Sequence, residues 1–502
     1  MTRQAAAVAG NRMGVLLAVC LAALVLPLSF SGGALATPAI GRDLGGTAGA
    51  LGWITNAFML TFGSLLMSAG ALADQFGRKR VFAAGSGAFI LISVALSCAN
   101  SVLMLDLLRA AQGVAAAAAL SGGTAALAQE FDGAARTRAF SLLGTTFGVG
   151  LALGPVLAGL LIAISGWRAV FLCCAAVGAL SFIFGVPRMR ETRDPGATGL
   201  DWQGTIAFSA ALSLLTCGVM LSIGSGWLSR AVIVCLLSSV VCLCIFVYVE
   251  RRVSRPMLDL TLFRYVRFVG VQLLPIATCC CYVVLLVLLP LRFIGIDGQG
   301  EIRAGMLVMA LSAPMLLMPS VAAWLTRWFP AATIAAVGLL VAAAGLLWLA
   351  GAAVPDRAAA TVAPLLVIGT GAGLPWGLMD ALSVSVVPKE RAGMATGIFS
   401  TVRVAGEGVA LALVSAFLTT LTEWNLHLVV PATGAMSSSR LPAAAQYLAA
   451  ADLARAAQLL PQLDKVALIG SYAHAFRSLL YGSSALTVLA ALAVWALLRS
   501  AE

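Results

Sequence analysis

Five charged side chains lie inside long apolar stretches of the chain, where an ionised group is costly and usually faces a cavity or a partner. Asp106 precedes Arg109 by three residues and Arg403 precedes Glu407 by four, so each pair lies on one helical face. Asp380 has no basic neighbour in its own stretch. An apolar setting without a cation favours a protonated carboxyl group. These residues are candidates for a group that carries a proton, and we rank Asp380 first, followed by Glu407 and Asp106. The alternative is that Asp380 is solvated near the end of its span.

The two arginines cannot be proton carriers, because a guanidinium group does not release its proton in a protein. We interpret Arg109, Arg403 and the nearby amide of Gln112 as substrate-binding or charge-switching groups that control the ionisation of a carboxylate. Two alternatives remain open, a static Arg109–Asp106 pair and a static Arg403–Glu407 pair.

The composition excludes most classes of protein. Of the 502 residues, 61% are hydrophobic and 10% are charged, whereas about a quarter of the residues in a soluble domain are charged. So few charged residues cannot cover the surface of a globular protein. We therefore exclude soluble enzymes and nucleic-acid-binding proteins, and we predict a polytopic membrane protein. His427 and His474 are the only histidines, and we expect neither a metal site nor a cofactor.

Charged residues and Gly/Pro breaks divide the chain into fourteen segments that are long enough to cross a bilayer. We expect each of them to be a helix, because a helix satisfies the backbone polar groups of an apolar segment in lipid. The predicted spans are residues 13–40, 49–71, 81–99, 104–128, 137–163, 167–187, 202–222, 229–249, 267–292, 303–325, 331–351, 361–385, 392–420 and 470–498.

The distribution of basic residues predicts the orientation of these spans. If the N-terminus is cytoplasmic, 19 of the 31 lysines and arginines fall on the cytoplasmic side, 10 fall outside and two lie within spans. The positive-inside rule therefore places both termini in the cytoplasm, and it explains most of the +11 net charge. Residues 421–469 then form an external loop with one or two short surface helices; a plain linker is the alternative.

The loop between spans 2 and 3 combines an acid, a glycine and a basic cluster. Gly77 permits a sharp reversal of the chain, and Asp74 can cap the next helix or form an ion pair that breaks as domains move. The alternative is that these basic residues only follow the positive-inside rule and have no role in gating. The predicted conformational gating loop consists of Gly70, Asp74, Gly77, Arg78, Lys79 and Arg80.

Span 5 is rich in glycine and contains one proline. These residues predict a small-residue face with a proline bend, formed by Gly150, Gly154, Pro155 and Gly159. Generic helix packing without any gating is the alternative.

Several of these stretches resemble the motifs of one family. Gly70–Arg80 resembles the signature loop of the major facilitator superfamily, and Leu105–Gly113 is similar to its span-4 motif with an intramembrane arginine. Gly150–Gly159 resembles the span-5 motif associated with antiporters, although Ala158 replaces a usual glycine. Further stretches are similar to the fourteen-span drug:proton antiporter family in particular: 166–171, 200–204, 255–263 and 388–403.

The resemblance implies an all-α, major-facilitator-type fold with fourteen transmembrane helices. Two six-helix bundles, residues 1–190 and 261–502, flank an inserted helix pair in residues 191–260. Such folds move substrates by alternating access between two halves, and the span-5 motif is implied to be a hinge and leak barrier. The implied function is proton-coupled efflux of drugs, antibiotics or other amphipathic small molecules. The alternatives are transport of one specific metabolite and a uniporter without proton coupling.

The expected partners are a small-molecule substrate, protons and the lipid bilayer, and we expect a monomer in the cytoplasmic (inner) membrane of a bacterium. One residue departs from the family's pattern, because Ser29 occupies the position of a usual aspartate in span 1. The N-terminal half therefore lacks that protonation site. We expect proton coupling to have moved to Asp380 and Glu407 in the C-terminal half.

Overall fold

The computed structural model describes residues 2–131, 133–193, 201–253, 258, 260–352, 358–386, 392–429 and 435–499. Within these ranges the regular structure is helical and contains no strand, which confirms the predicted all-α class. Fourteen segments of the described chain are long and apolar enough to cross a membrane, as predicted. The helices are α1 Thr2–Leu44, α2 Ala48–Phe76, α3 Arg78–Ser97, α4 Val102–Glu130, α5 Gly133–Ser165, α6 Arg168–Gly185, α7 Trp202–Ser225, α8 Arg230–Glu250, α9 Val266–Thr278, α10 Val284–Gly295, α11 Glu301–Ser312, α12 Met318–Leu325, α13 Ala331–Ala352, α14 Val362–Ser385, α15 Ala392–Val429, α16 Ala435–Ala449, α17 Leu453–Leu459 and α18 Lys465–Arg499.

Two of the fourteen spans are each built from two helices. The π-helical turn Cys279–Val283 joins α9 to α10, and the 3₁₀ turn Ala313–Leu316 joins α11 to α12. Pro314 lacks the backbone N–H needed to continue α11, which explains the second break. A π turn widens a helix locally and is frequent at functional sites. Its last residue, Val283, lines the cleft described below.

The spans pack as two groups, which we call the N-terminal half (α1–α6) and the C-terminal half (α9–α15 and α18). The halves meet where α2 crosses α15 and where α5 crosses α11. At the first crossing, a Cβ atom at Gly63 would lie 2.7 Å from the backbone of Ala405. At the second, a Cβ atom at Gly305 would lie 2.8 Å from the carbonyl oxygen of Pro155. Both crossings therefore depend on a residue without a side chain.

The pair α7 and α8 packs beside the seam between the halves. α7 contacts both α2 and α15. Ser68 of α2 donates a hydrogen bond to Thr205 Oγ1 at 3.2 Å, and Asn56 Nδ2 of α2 approaches Met220 Sδ at 3.8 Å. Met220 also packs against Ala412 of α15. α8 leaves most of its large apolar side chains exposed, as a helix that faces lipid does.

The predicted external loop, 421–469, is shorter and more ordered than expected. α15 and α18 extend into it from both sides, since a helix can continue past the bilayer when its polar residues stay in water. The short helices α16 and α17 lie between them, but α16 is more than a surface helix. Its residues Leu441, Ala444 and Leu448 are buried against the C-terminal half. Residues 430–434 lie outside the described residues.

Contacts between the halves close the end of the molecule at which the α1–α2 loop lies. Arg42 of α1 donates to Glu301 Oε1 of α11 at 2.6 Å. A Cβ atom at Gly159 of α5 would lie 2.6 Å from the carbonyl oxygen of Glu301. Arg455 of α17 donates to the carbonyl oxygen of Gly46 in the α1–α2 loop. An ion pair and a helix crossing therefore join the two halves at this end, and α17 is attached to the same end by the Arg455 hydrogen bond.

Breaking the Arg42–Glu301 pair should open this end more often. We expect Arg42→Gln to raise, by about two- to fivefold, the rate at which an impermeant maleimide modifies a cysteine at position 304, since an exposed ion pair contributes up to roughly 1 kcal/mol. Ala304 is buried one turn inside Glu301, and the measurement uses purified protein without its native thiols. Arg168→Gln is the matched control, because Arg168 pairs with Asp43 at 2.7 Å within the N-terminal half. Equal rates of modification in Arg42→Gln and Arg168→Gln would mean that the Arg42–Glu301 pair does not hold the two halves together at this end.

Candidate transport site

A small cleft, with a cavity volume of about 40 Å³, lies between the two halves. Its N-terminal wall is apolar and carries four aromatic rings, those of Phe30, Phe58, Phe62 and Phe147. The charged groups in its lining, Arg403 and Glu407, both come from α15 in the C-terminal half. A ligand in this cleft therefore meets apolar surface on one side and a narrow charged strip on the other.

Glu407 is the carboxylate of this strip. Over the part of the chain that the structure describes, its side chain forms neither a hydrogen bond nor an ion pair. Flanking glycines bring other helices close to it: a Cβ atom at Gly408 would lie 3.3 Å from Met59 of α2. The thiol of Cys279, in the π turn, approaches the Glu407 carbonyl oxygen at 3.9 Å. Glu407 thus lies where the α2–α15 crossing, the π turn and the cleft meet.

Asp380 is not the unpaired, buried carboxylate that the sequence predicts. Its Oδ1 lies 3.4 Å from Arg403 Nη1, and its side chain is 49% exposed. Arg403 comes from α15, 23 residues later in the chain, so no local pattern around Asp380 reveals the pair. The same contact shows that Arg403 pairs with Asp380 rather than with Glu407, the static pair left open above. The premise for ranking Asp380 above Glu407, a carboxyl group without a cation nearby, is therefore wrong.

Arg403 is enclosed by aromatic rings as well as paired. Its guanidinium carbon lies 5.6 Å from the ring centre of Phe147, 5.9 Å from that of Trp376 and 5.6 Å from that of Phe399. Contacts of this kind stabilise a cation over an aromatic face. Phe147 belongs to α5, so the cage includes one ring from the opposite half. The environment of Arg403 therefore depends on how the two halves are placed.

Arg109 is fully buried in the N-terminal half, and its hydrogen-bond partners are neutral. Its Nε donates to the carbonyl oxygen of Ile54 at 2.8 Å, and its Nη1 donates to Ser29 Oγ at 2.8 Å and to Gln112 Oε1 at 2.5 Å. The guanidinium also lies 4.4 Å from the ring centre of Phe58, which lines the cleft. Arg109 is thus separated from the cleft by one aromatic ring.

The static Arg109–Asp106 pair is not formed. Within the described ranges Arg109 has no carboxylate within ion-pair distance, and Asp106 Oδ1 is buried without a hydrogen-bond partner. Ser29, at the position of the usual aspartate, is in direct contact with Arg109. The substitution therefore leaves a buried cation without a carboxylate partner in this half.

A family model described as the Major Facilitator Superfamily matches residues 17–411. The chain belongs to the major facilitator superfamily. It is 31% identical over 406 residues to the multidrug resistance protein Stp of Mycobacterium tuberculosis, covering 79% of this chain and 75% of that protein. It is 25% identical over 411 residues to the tetracenomycin C resistance and export protein of Streptomyces glaucescens, covering 82% and 76%.

A solved structure shares the superfamily fold. A bacterial homologue of the human lysosomal transporter Spinster, in an inward-facing and unoccupied conformation, superposes with a TM-score of 0.61 at 17% identity, covering 98% of this chain and 97% of that one. Membership of the superfamily makes this chain a multi-pass membrane transporter rather than an enzyme. Of the stretches that resemble the fourteen-span family, residues 200, 255–257, 259 and 388–391 lie outside the described residues.

The superfamily's signature loop is anchored within the N-terminal half. Asp74 Oδ1 accepts from Arg78 Nε at 3.0 Å and from Arg78 Nη2 at 2.8 Å. Gly77, with a φ of 114°, separates α2 from α3, and a Cβ atom there would overlap Glu191. Arg80 pairs with Glu191 at 3.6 Å. The loop therefore joins α2, α3 and the segment after α6, while Gly70 has open space around it and Lys79 has no ion pair among the described residues.

The span-5 residues face two different neighbours. Gly150 and Gly154 lie against α1, where Cβ atoms would reach Pro27 and Ser31 respectively. Pro155 and Gly159 lie against α11 of the other half, near Gly305 and Glu301. One helix thus packs tightly on both halves, which is the placement that a hinge requires.

Several residues of the site have no signal in the sequence analysis. The rings of Phe147 and Trp376 around Arg403, and the π turn beside Glu407, come from segments that read only as apolar spans. A run of three cysteines, Cys279–Cys281, begins the π turn, but cysteines in an apolar span do not by themselves indicate a π turn. The contact between Ser29 and Arg109 joins residues 80 positions apart.

Proposed function

We propose that this transporter exports drugs, antibiotics or other amphipathic small molecules in exchange for protons. Glu407 carries the proton, and substrate and proton use the same cleft in turn as the halves alternate in access. The observation that carries the proposal is the unpaired Glu407 carboxylate in a cleft that is otherwise lined by apolar and aromatic groups and by Arg403.

The proposal requires a group that changes its charge within the substrate site. A carboxyl group in a cleft that opens to each side in turn can take up a proton on one side and release it on the other. Asp380 and Asp106 serve this role less well. Asp380 is paired and half-exposed, and Asp106 lies on α4 outside the cleft lining.

The apolar wall and the names of the relatives support the substrate class. Four phenylalanines on one side and a charged strip on the other fit a molecule with a flat apolar body and one polar edge. The relatives named above are a multidrug resistance protein and a tetracenomycin C resistance and export protein. We propose export rather than uptake on that basis.

Orientation and gating belong to the same proposal. The distribution of basic residues supports cytoplasmic termini, and we propose that the protein lies in the inner membrane of a bacterium. The end of the molecule with the Arg42–Glu301 pair would then face outward. The Asp74–Arg78 loop would then lie on the cytoplasmic side and act in gating, and α5 would act as the hinge. We propose that a single copy of the chain carries out transport.

Transport without proton coupling is the second candidate, and Ser29 favours it. A superfamily member with one fewer carboxylate in its N-terminal half has fewer groups that can bind a proton, and Arg109 cannot supply one. A uniporter for one specific metabolite would retain the cleft and the crossings described above.

A susceptibility screen in a bacterial host without its own efflux pumps tests the proposal. Expression of the transporter should raise resistance to some compounds of a panel, and it should lower their cellular accumulation until an uncoupler collapses the proton gradient. A uniporter can only bring a compound to equilibrium across the membrane, so faster equilibration of a compound that is equal with and without the uncoupler, together with unchanged resistance, would favour the uniporter. If no compound changes in resistance or accumulation, drug export is contradicted.

A further inference from the structure

Arg403 lies between two carboxylates that belong to different helices. Asp380 of α14 is its ion-pair partner at 3.4 Å. Glu407 follows it by one helical turn on α15, a spacing at which side chains of a helix lie next to each other. At this spacing an arginine side chain is long enough to reach the glutamate, so the two acids can compete for one cation.

The present partner is held in place partly by the opposite half. Phe147 of α5 supplies one of the three rings around Arg403, and Asp380 Oδ2 lies 3.8 Å from where a Cβ atom of Gly144, also on α5, would be. Arg403 is 12% exposed, whereas Asp380 is 49% exposed. If α5 moves away from α14 and α15, the cage loses a wall and Asp380 becomes more hydrated. An ion pair that is exposed to water is weak.

We propose that Arg403 is a positioning residue that exchanges carboxylate partners during transport. It pairs with Asp380 while α5 packs against α14 and α15, and it pairs with Glu407 when α5 has moved away. Its purpose in the cycle rests on the proposed function, because pairing with Glu407 would drive that carboxyl group to release its proton. Arg403 would thereby link the position of the halves to the proton occupancy of the cleft.

Few other titratable groups of the described chain face Glu407. The titratable groups that face Glu407 in the described part of the chain are Arg403 on its own helix and Cys279 in the π turn, with Asp380 beyond Arg403. The residues of α2 that line the cleft with Glu407 are Phe58, Met59 and Phe62, which carry no charge. Removing one member of the Asp380–Arg403–Glu407 group therefore changes the charge around Glu407 in a predictable direction.

Chemical modification of Glu407 tests the exchange without any substrate or gradient. Dicyclohexylcarbodiimide reacts with a protonated carboxyl group in apolar surroundings, and mass spectrometry of the full-length purified protein quantifies the modified Glu407 peptide. The variants are Asp380→Asn, Arg403→Gln and the double variant. Glu423→Gln, on the same helix but away from the cleft, is the matched control, and Glu407→Gln gives the background.

Opposite effects of the two single variants are expected at neutral pH. Asp380→Asn frees Arg403 for Glu407, so modification should fall by about tenfold, because a carboxylate that is paired with a cation stays ionised and does not react. Arg403→Gln should raise modification. The double variant should return it to at least the wild-type extent, because the cation that ionises Glu407 is gone. Phe147→Leu, which keeps apolar bulk but removes a ring of the cage, should lower modification in the same direction as Asp380→Asn.

Two results would overturn the exchange. The first is wild-type modification in both Asp380→Asn and Phe147→Leu. The second is a double variant that stays as low as Asp380→Asn, which would mean that Arg403 does not mediate the effect. These results are independent of proton-driven transport. Expected modification together with uncoupled transport would contradict the proposed function alone, and unchanged modification together with proton-driven export would contradict the exchange alone.

Discussion

Replacing Glu407 by glutamine should reduce export driven by a pH gradient by about 5- to 150-fold, the usual range of a coupling free energy between two sites. Exchange of substrate across the membrane without a gradient should continue. Glutamine keeps the size of the side chain but cannot take up and release a proton, so the halves can still alternate around a bound substrate. The measurement compares both fluxes in proteoliposomes, with a compound selected by the susceptibility screen.

Glu423→Gln is the control for this prediction. It makes the same chemical change on the same helix, but Glu423 is outside the cleft lining, so both fluxes should remain close to those of the wild type. Full gradient-driven export by Glu407→Gln would place coupling at another group, with Asp106 or Asp380 as the next candidate. Loss of both fluxes would show that Glu407 is needed to bind the substrate rather than to couple it to protons.

Replacing Arg109 by methionine should have the largest effect on stability. The change removes the charged donor from Ser29 Oγ, Gln112 Oε1 and the Ile54 carbonyl oxygen, and Gln112 Oε1 keeps only the 3.3 Å hydrogen bond that Ser29 Oγ donates. Buried acceptors that lose a charged donor should lower the free energy of unfolding by roughly 3 kcal/mol. Thermal denaturation in detergent measures the change, and transport should fall with it.

Arg303→Met provides a comparison for this prediction, because Arg303 is exposed on α11 and should leave thermal denaturation almost unchanged. A fully stable Arg109→Met protein would show that the buried network contributes little to the fold.

Ser29→Asp changes the residue that accepts a hydrogen bond from Arg109. It places a carboxylate beside Arg109 Nη1, and it should not weaken gradient-driven export if coupling lies with Glu407.

The fold was largely predictable from sequence because membrane spans are local features. Fourteen apolar stretches, the motifs around Asp74 and Arg109, and the intramembrane charges are all visible without knowledge of packing. The breaks within two spans were missed, since Pro314 and the Cys279–Val283 turn interrupt stretches that remain apolar throughout. Hydropathy does not distinguish a continuous helix from a broken one.

The site was less predictable because its interactions join distant parts of the chain. Asp380 looked free of any cation, yet its partner, Arg403, comes from the next span. Ser29 looked like a simple loss of an acid, yet it is a hydrogen-bond partner of Arg109. In both cases the sequence did not reveal the neighbour, since helix–helix contacts depend on how spans are arranged in three dimensions.

Proton movement caused by an exported compound is the most direct test of proton-coupled export through Glu407. Everted membrane vesicles that contain the transporter are energised until a pH-sensitive dye reports an acidic interior, and the compound is then added. Wild-type vesicles should lose part of the pH gradient upon addition, whereas vesicles with an equal amount of Glu407→Gln should not. Accumulation of the compound by wild-type vesicles without any change in the pH gradient would contradict the account, as would an equal loss of the gradient with Glu407→Gln.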